Sequence, residues 1–474
     1  GFYVYLIFTI ALLLLDNREP ASTFAWLFVF LVFPVGGLVI YFMIGRNWRR
    51  QSRKRKTNEQ LLETRLEKIL SSLIKKQSET IKFIEGFWSS SYKKKLLRLL
   101  SCNSDSVLTT KNTLRIFQKG EDKFNALLDD LKKAEKFIHM EYFIWRSDKL
   151  TREIHKILLA KSRAGVEVRV LYDGLGSIFL KGRDIRLLRR AGVKIYPYYD
   201  YLTPITMHTL NYRNHRKIVV IDGGIGYTGG MNVGQEYIDG GRRFALWRDS
   251  HLRLEGQAVS ILEGIFATDW YNTTKEDLLN KEYFPAEKEI PDALPIQITA
   301  SGPDSQWDSI KQLYFMLISS AEEKIYIQSP YFIPDASIYT ALKTAALSGV
   351  DVRLMITGVP DKKIPYWAAY TYFENLLQAG VRIYHYNKGF LHSKTMTVDS
   401  EICSIGTANM DVRSFHLNFE INTLIYDRKT AAQLENDFLQ DQKDCKELTM
   451  DDYARLGRFA KFRNSTARLF APLL

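Results

Sequence analysis

The sequence predicts an α/β protein built from two similar halves behind an apolar N-terminal segment. Three observations support this fold class. Strand-like β-branched runs alternate with helix-like stretches, several sequence blocks occur twice in the same order, and residues 1–45 are strongly apolar. A chain of 474 residues is too long for one ordinary core, so it favours two domains or one duplicated domain.

The apolar start of the chain predicts a transmembrane hairpin over residues 1–45. Thr23 to Ile44 form an uncharged run of 22 residues, which is long enough to cross a bilayer. The first run, Phe2 to Leu15, is short for a span, and the polar residues 16–20 predict a turn between the two. A buried helix of a soluble domain is the alternative interpretation of the longer run.

Basic residues crowd the stretch that follows, and they predict how the hairpin is oriented. By the positive-inside rule, this end and everything after it are cytoplasmic, so we expect a multi-pass membrane protein whose remaining residues lie on the cytoplasmic side. Residues 46–105 are interpreted as a basic linker with an amphipathic helix. The basic residues at its start are Arg46, Arg49, Arg50, Arg53, Lys54, Arg55 and Lys56.

The remainder of the chain repeats itself. Residues 137–144 return as 325–333, residues 164–170 return as 348–354, and residues 191–196 return as 379–384. A repeat of this length indicates a duplicated domain, and not the short unit of a solenoid. We therefore predict one domain over residues 106–280 and a second over residues 292–474.

A fourth repeated block carries the candidate chemistry. Both copies match HxKxxxxD followed, after six residues, by GxxN. The first copy supplies His215, Lys217, Asp222 and Asn232, and the second supplies His392, Lys394, Asp399 and Asn409. One such match could arise by chance, but two at equal spacing, each ending the same repeat, could not.

The spacing within each block predicts a phosphodiester site. Residues two apart on a strand project to the same face, so the histidine and the lysine of each copy point together. An imidazole can attack phosphorus, while ammonium and amide groups hold the phosphate oxygens. The basic composition agrees with a polyanionic partner, since 66 Lys and Arg face 53 Asp and Glu, a net charge of +13.

This pair of motifs resembles the signature of the phospholipase D superfamily. The resemblance implies two tandem α/β/α sandwich domains that pack face to face around one active site. It further implies a covalent phosphohistidine, with His215 as the nucleophile and His392 as general acid and then base. Asp222 and Asp399 would support the motifs structurally, and neither a metal nor another cofactor would be needed. The phosphate would be bound by Lys217, Asn232, Lys394 and Asn409.

Each histidine is also expected to have a carboxylate that orients its second ring nitrogen. Glu420, eleven residues after Asn409, sits where the superfamily has one. The corresponding position of the first copy is Arg243, so the candidates there are Glu236 and Asp249, with Asp249 preferred.

Longer stretches resemble bacterial cardiolipin synthases in particular. They include residues 17–27 of the hairpin, residues 228–234 with Trp247-Arg248-Asp249, and residues 413–420. The resemblance implies that two phosphatidylglycerol molecules are joined into cardiolipin with release of glycerol. The expected partners are these anionic phospholipids and the membrane, without nucleic acid, and a homo-oligomer is left open. The alternatives are a phospholipase D-type hydrolase, another phosphatidyltransferase, a nuclease and a catalytically inactive scaffold.

The end of the chain has two competing interpretations. Residues 455–474 place five basic residues among Leu, Phe and Ala. This pattern is typical of a helix on a membrane surface, and equally of a helix packed on the protein with a solvated basic edge.

Overall fold

The computed structural model describes residues 2–15, 20–41, 64–71, 73–75, 81, 91–199, 211–285, 290 and 293–471. Its first elements are helices α1 (Phe2–Leu15), α2 (Pro20–Val32) and α3 (Pro34–Ile40). The predicted run from Thr23 to Ile44 is therefore not one continuous helix. Pro34 has no backbone N–H and occupies the first turn of α3, so the chain starts a new helix after Phe33.

The two helices from this run are short, with 13 residues in α2 and 7 in α3. Across the part of the chain that the structure describes, none of the helices combines the length and apolar character needed to span a bilayer. The predicted turn at residues 16–19 and most of the basic linker lie outside the described residues. Within that linker, residues 64–69 are helical, and Leu66 and Leu70 pack against the core that the two halves share.

The first half forms one mixed sheet covered by helices. Its strands lie in the order β4–β3–β2–β6–β7–β8–β1, with β2, β3 and β4 parallel and the other pairs antiparallel. The elements are α4 (Ser91–Asn103), β1 (Leu108–Lys119), α5 (Gly120–Lys133), β2 (Phe137–Tyr142), α6 (Lys149–Arg163), β3 (Glu167–Tyr172), α7 (Gly182–Arg190), β4 (Lys194–Pro197), β5 (Arg213–Asn214), β6 (Lys217–Ile221), β7 (Ile225–Gly229), α8 (Glu236–Asp239), β8 (Trp247–Gly256) and α9 (Gln257–Thr274).

The second half repeats this order as β13–β12–β10–β15–β16–β18–β9, again with the first three strands parallel. Strand β19 adds to the outer edge beside β13. The elements are β9 (Ala293–Ser301), α10 (Ser309–Ser319), β10 (Lys324–Gln328), β11 (Phe332–Ile333), α11 (Ala336–Leu347), β12 (Asp351–Thr357), α12 (Lys363–Gln378), β13 (Arg382–Tyr386), β14 (Phe390–Leu391), β15 (Thr395–Val398), β16 (Ile402–Gly406), β17 (Met410–Asp411), α13 (Val412–His416), β18 (Asn418–Ile425), α14 (Arg428–Gln442), β19 (Cys445–Leu448), α15 (Met450–Ala454) and α16 (Arg458–Arg468).

The two sheets are joined by β1 and share an apolar core. Strand β1 pairs with β8 along one part of its length and with β9 along another. Successive residues of β6 face opposite sides of the sheet. Ile218 contributes to the core that the two halves share, and Val219 contributes to a second core, which lies almost wholly within the first half. From the second half, β16 and β18 add Ile405 and Ile421 to the shared core. The predicted mixed α/β fold with an internal duplication is therefore confirmed.

Candidate active site

The two motif blocks are brought together because the short strand before each histidine pairs with the opposite half. Strand β5 runs parallel to β18 of the second half, and the backbone N–H of His215 donates to Phe419 O at 2.9 Å. Strand β14 in turn pairs with β8 of the first half, and the N–H of His392 donates to Arg248 O at 2.7 Å. Two strand pairings therefore join the halves at the site, one beside each histidine.

This crossing decides which carboxylate contacts which histidine. The next residue on β18 is Glu420, and its Oε2 lies 2.9 Å from His215 Nδ1, across a sequence separation of 205 residues. The next residue on β8 is Asp249, and its Oδ2 lies 2.7 Å from His392 Nδ1, across 143 residues. Glu420 and Asp249 therefore each contact the histidine of the other copy.

The third candidate carboxylate, Glu236, occupies a different position. It accepts a hydrogen bond from Arg146 Nε at 2.8 Å. Among the described residues, no hydrogen bond joins it to either histidine, and the two Nδ1 atoms contact Glu420 and Asp249. The structure thus brings Asp249, and not Glu236, to a catalytic-motif histidine.

Both carboxylates are fully buried and held by polar neighbours. Glu420 accepts from Thr407 Oγ1 and, at 3.0 Å, from Asn418 Nδ2. Asp249 accepts from the backbone N–H of Ser250 at 2.7 Å. Burial raises the pKa of each carboxyl group, but the neighbouring histidine and lysine lower it more, so both pKa values fall below the ordinary range. Both groups are therefore ionised at neutral pH.

The histidines are neutral imidazoles at pH 7. Burial is the largest influence and, together with the motif lysines, lowers the pKa of His215 and of His392 to about 4, although each carboxylate opposes the shift. A neutral ring whose Nδ1–H donates to a carboxylate carries its lone pair on Nε2. Each half thus presents a nitrogen suited to nucleophilic attack or proton transfer.

The two motif lysines are also buried and lie close to both carboxylates. Lys217 Nζ donates to His215 O at 2.6 Å, and Lys394 Nζ donates to His392 O. Burial lowers the pKa of Lys217 to about 7 and that of Lys394 to about 8. Lys394 lowers the pKa of Lys217, and each lysine also lowers the pKa of the histidine in the opposite half, so the two halves share one electrostatic site.

The two motif asparagines are buried beside the histidine-bearing strands. Asn232 Oδ1 accepts from the N–H of Ile144 at 3.1 Å, and its amide donates to Tyr237 OH at 2.9 Å. Asn409 is held through its backbone N–H by Ser414 Oγ at 3.1 Å. Its side-chain Oδ1 is buried without a hydrogen bond within the described structure.

The motif aspartates lie directly after the strands that follow the histidines, Asp222 after β6 and Asp399 after β15. Asp222 accepts three backbone N–H groups at 2.8 Å, from Glu135, Lys136 and Phe137. Asp399 accepts the equivalent three at 2.8 to 3.0 Å, from Glu322, Glu323 and Lys324. The φ angles of Asp222 and Asp399 are 51° and 52°, so each aspartate closes a turn and anchors the neighbouring strand.

Two arginines behind the histidines were not singled out from the sequence. Arg216, which follows the first histidine, forms a buried ion pair with Asp269 of α9 and lies 5.3 Å from the Phe419 ring. Arg248, which precedes Asp249, forms a buried ion pair with Asp441 of α14 at 2.8 Å. The sequence signal for Arg216 was a charged residue just before a strongly apolar run, because a charge that becomes buried there needs a partner.

Metal-binding side chains do not cluster in this site. Within the described residues, no three His, Cys, Asp or Glu side chains converge as a metal would require. The expectation of a cofactor-free reaction stays a prediction.

Comparisons with known proteins identify the family. A family model described as "Cardiolipin synthase, PLD-like domain" matches residues 127–270 and 314–442, which include both motif blocks. A second model, described as "Phospholipase D-nuclease N-terminal", matches residues 1–46. The chain belongs to the cardiolipin synthase family of the phospholipase D superfamily. It is an enzyme of the phosphatidyltransferase type, as the resemblance in sequence predicted.

Individual relatives of this family match along nearly the whole chain. A cardiolipin synthase of Geobacillus kaustophilus is 42% identical over 469 residues, covering 99% of this chain and 92% of the relative. Cardiolipin synthase 2 of Staphylococcus epidermidis is 41% identical over 479 residues, covering 100% and 97%. The crystal structure of a phosphatidylserine synthase of Haemophilus influenzae covers 81% of this chain and 100% of its own, with a TM-score of 0.61. Its sequence identity is 15%, so it supports the fold alone.

Proposed function

We propose that the site transfers a phosphatidyl group from one phosphatidylglycerol to another through a covalent intermediate on His215. The observation that carries the proposal is the pair of buried histidines, each bound at Nδ1 by a carboxylate from the opposite half. A site with two such imidazoles has a nucleophile and a separate proton carrier, which a two-step exchange at phosphorus requires.

In the first step, His215 Nε2 attacks the phosphorus of the first lipid. The bond from phosphorus to the glycerol headgroup breaks, and a proton from His392 passes to the departing alkoxide oxygen. An anionic phosphate raises the pKa of His392 from its value of about 4 in the unliganded site, so that His392 can hold this proton. Lys217 and Lys394 balance the charge on the phosphate oxygens.

In the second step, the neutral His392 removes the proton from a headgroup hydroxyl of the second lipid. The oxygen forms a bond to phosphorus, the bond from phosphorus to His215 breaks, and cardiolipin leaves. His392 then carries its proton again. Asn232 and Asn409 complete the phosphate site in this proposal, Asp249 and Glu420 hold the rings, and Asp222 and Asp399 support the strands.

The proposed setting is the bacterial cytoplasmic membrane, with both catalytic halves on the cytoplasmic side. The apolar residues of α1 to α3 expose large side chains, among them Phe24, Phe28 and Val35, and basic residues follow at 46–56. We propose that this segment anchors the chain as a hairpin within 1–45. The domains would be 46–105 for the linker, 106–280 for the first half and 292–474 for the second, and a homo-oligomer is compatible with this arrangement.

A product assay tests the proposed reaction. The purified full chain is supplied with phosphatidylglycerol alone in mixed micelles, and the lipids and the released glycerol are quantified by mass spectrometry. We expect cardiolipin and glycerol in equal amounts. Phosphatidic acid as the main product would show that water is the acceptor, and product only after addition of another alcohol would show a different phosphatidyltransferase.

A further inference from the structure

The last helix carries an exposed apolar face that the catalytic site does not use. The outward side of α16 and the two residues after it are occupied by Phe459, Phe462, Leu469 and Phe470, whose exposed fractions are 79%, 71%, 79% and 49%. Their spacing places them on one side of a helix. Isolated apolar residues on a surface are ordinary, but a contiguous row of this size indicates an interaction site.

The opposite side of the same helix is firmly packed, so the exposure does not come from fraying. Asn464 and Ala467 are buried. The Arg463 guanidinium lies 4.6 Å from the Trp367 ring, and the Arg468 guanidinium lies 4.5 Å from the Tyr372 ring. Both aromatic partners belong to α12, so α16 lies along α12 and presents its apolar face outward.

The basic residues around this apolar face indicate that its partner is anionic. Residues 453–471 contain no Asp or Glu. The exposed cations beside the apolar row are Arg458 and Lys461. Aromatic side chains beside such cations fit an anionic bilayer surface, where apolar groups enter the acyl boundary and cations meet the headgroups.

The position of α16 places this face near the catalytic site. The two arginine–aromatic contacts set α16 parallel to α12, which brings Phe459 level with the start of α12 at Lys363. That start follows the carboxyl end of β12. The parallel neighbour β10 ends at Gln328, whose Oε1 accepts from Thr395 Oγ1 at 3.1 Å, three residues after His392. The first turn of α16, with Phe459, and the active site therefore lie toward the same end of the sheet.

We propose that α16 is a second membrane contact, which lays Phe459, Phe462, Leu469 and Phe470 into the surface of an anionic bilayer beside the active site. This inference rests on the proposed membrane location and adds a contact independent of the N-terminal segment. It assigns the basic C-terminal stretch to a membrane-surface helix, one of its two interpretations from sequence.

The decisive experiment measures the depth of a single probe in the full chain. Cys102 and Cys445 are replaced by Ser, Phe462 is replaced by Cys and labelled with an environment-sensitive fluorophore, and the protein is reconstituted into vesicles. The matched control carries the same label at Lys156→Cys on α6, an exposed position of the first half. Vesicles contain equal phosphatidylglycerol and phosphatidylcholine, or phosphatidylcholine alone, each with a spin-labelled lipid quencher.

We expect the lipid quencher to lower the fluorescence at position 462 about twofold or more in anionic vesicles, less in neutral ones, and not at position 156. Accessibility of position 462 to aqueous iodide without lipid quenching would overturn the proposal. So would cross-linking of two chains through position 462 without lipid quenching, because a second copy would then cover the face. Quenching requires no turnover, so an error in the proposed reaction leaves this result unaffected.

A second variant tests whether the contact matters for activity. In Phe459→Ser/Phe462→Ser, we expect transfer from anionic vesicles to fall about fivefold or more and transfer in detergent micelles to stay unchanged. Equal activities in both substrate forms would contradict the proposal. The unfolding temperature in detergent shows whether the double variant keeps its fold.

Discussion

The half of the site around His215 and the half around His392 share one backbone plan but support it with different side chains. In both, a carboxylate from the opposite half binds Nδ1, a lysine lies two residues after the histidine, and burial lowers the histidine pKa to about 4. The groups behind them differ. The supports around His215 are Glu420, Thr407 and Arg216, and those around His392 are Asp249, Gly230, Ser393 and Arg248.

The position next to each carboxylate shows why the supports differ. Thr407 and Gly230 are equivalent residues of the two GxxN blocks. Thr407 donates a hydrogen bond to Glu420, whereas a Cβ at Gly230 would overlap Asp249 Oδ1. The arginines differ in the same way. Arg216 lies next to His215 itself, whereas Arg248 lies next to Asp249, the carboxylate that contacts His392. The duplication thus preserves positions of functional groups and not the residues that supply them.

The largest effect is expected at the histidines themselves. His215→Ala and His392→Ala should each abolish transfer, a loss of about 10,000-fold or more, because nucleophile and proton carrier are both required. A phosphatidyl donor with an activated leaving group distinguishes the roles of the two histidines, because such a leaving group needs no proton from His392. With this donor, the His392→Ala variant should carry a covalent adduct on His215, detected by peptide mass spectrometry. An adduct on His392 in His215→Ala would reverse the assigned roles.

The next largest effect is expected from the crossed carboxylates. Glu420→Gln and Asp249→Asn keep the shape but remove the charge that orients and stabilises each imidazole, so activity should fall roughly 100- to 10,000-fold. Rapid-quench measurement of the covalent intermediate distinguishes the two. Glu420→Gln should slow its formation on His215 even from a donor whose activated leaving group needs no proton, while Asp249→Asn should slow its formation only from phosphatidylglycerol. Glu236→Gln is the matched control and should retain activity near that of the parent.

The lysines predict the alkaline side of the pH dependence of kcat, which reports the lipid-bound site in which His392 already holds its proton. In the unliganded site, Lys217 and Lys394 are charged below pKa values of about 7 and about 8. We therefore expect kcat to fall at a pH above about 7 as Lys217 loses its proton. Lys217→Arg should move the alkaline limb upward more than Lys394→Arg. An alkaline limb that is unchanged in Lys217→Arg would exclude this lysine as its cause.

A smaller effect is expected where the halves differ around their carboxylates. Thr407→Val removes one hydrogen bond to Glu420 and should lower transfer about 10-fold, with little change in KM. Thr423→Val on β18, which is also buried, provides the control for loss of a buried hydroxyl. If both variants lose activity equally, the hydroxyl of Thr407 has no specific role.

The smallest effect on catalysis is expected at the motif aspartates. Asp222→Asn and Asp399→Asn weaken three hydrogen bonds to backbone N–H groups and should destabilise the fold by roughly 1.5–3 kcal/mol. Thermal unfolding in detergent measures this loss, and the activity of the folded fraction should stay within about threefold of the parent. A complete loss of activity with unchanged stability would instead assign these residues a chemical role.

Much of the site could be predicted from local sequence, because its groups lie close together along the chain in each copy. His215 and Lys217 are two residues apart, so strand spacing predicts that they point together, and the structure places His215 just before β6. The repeat predicts a second, equivalent set. The supporting role of Asp222 and Asp399 was implied by the resemblance to the superfamily, and it stays a prediction.

The crossed pairing could not be predicted in this way. The partner of His215 is fixed by the pairing of β5 with β18, and no local pattern reports a contact 205 residues away. Glu236 remained a candidate for the same reason, because sequence proximity to Asn232 does not show that its side chain faces Arg146. The broken apolar run had a visible cause in Pro34, whose effect depends on how neighbouring helices pack.

The crossing of β5 onto β18 also governs when the protein becomes chemically competent during its synthesis. A nascent chain that has emerged only as far as α9 contains His215 but has neither β18 nor Glu420. Its imidazole then lacks the carboxylate that orients it, even though its own motif is complete. The imidazole of His215 is oriented only after the chain has been synthesised beyond β18 and that strand has folded against β5. A translation product that ends before β18, or a chain cleaved before β18, therefore lacks the contact that orients His215.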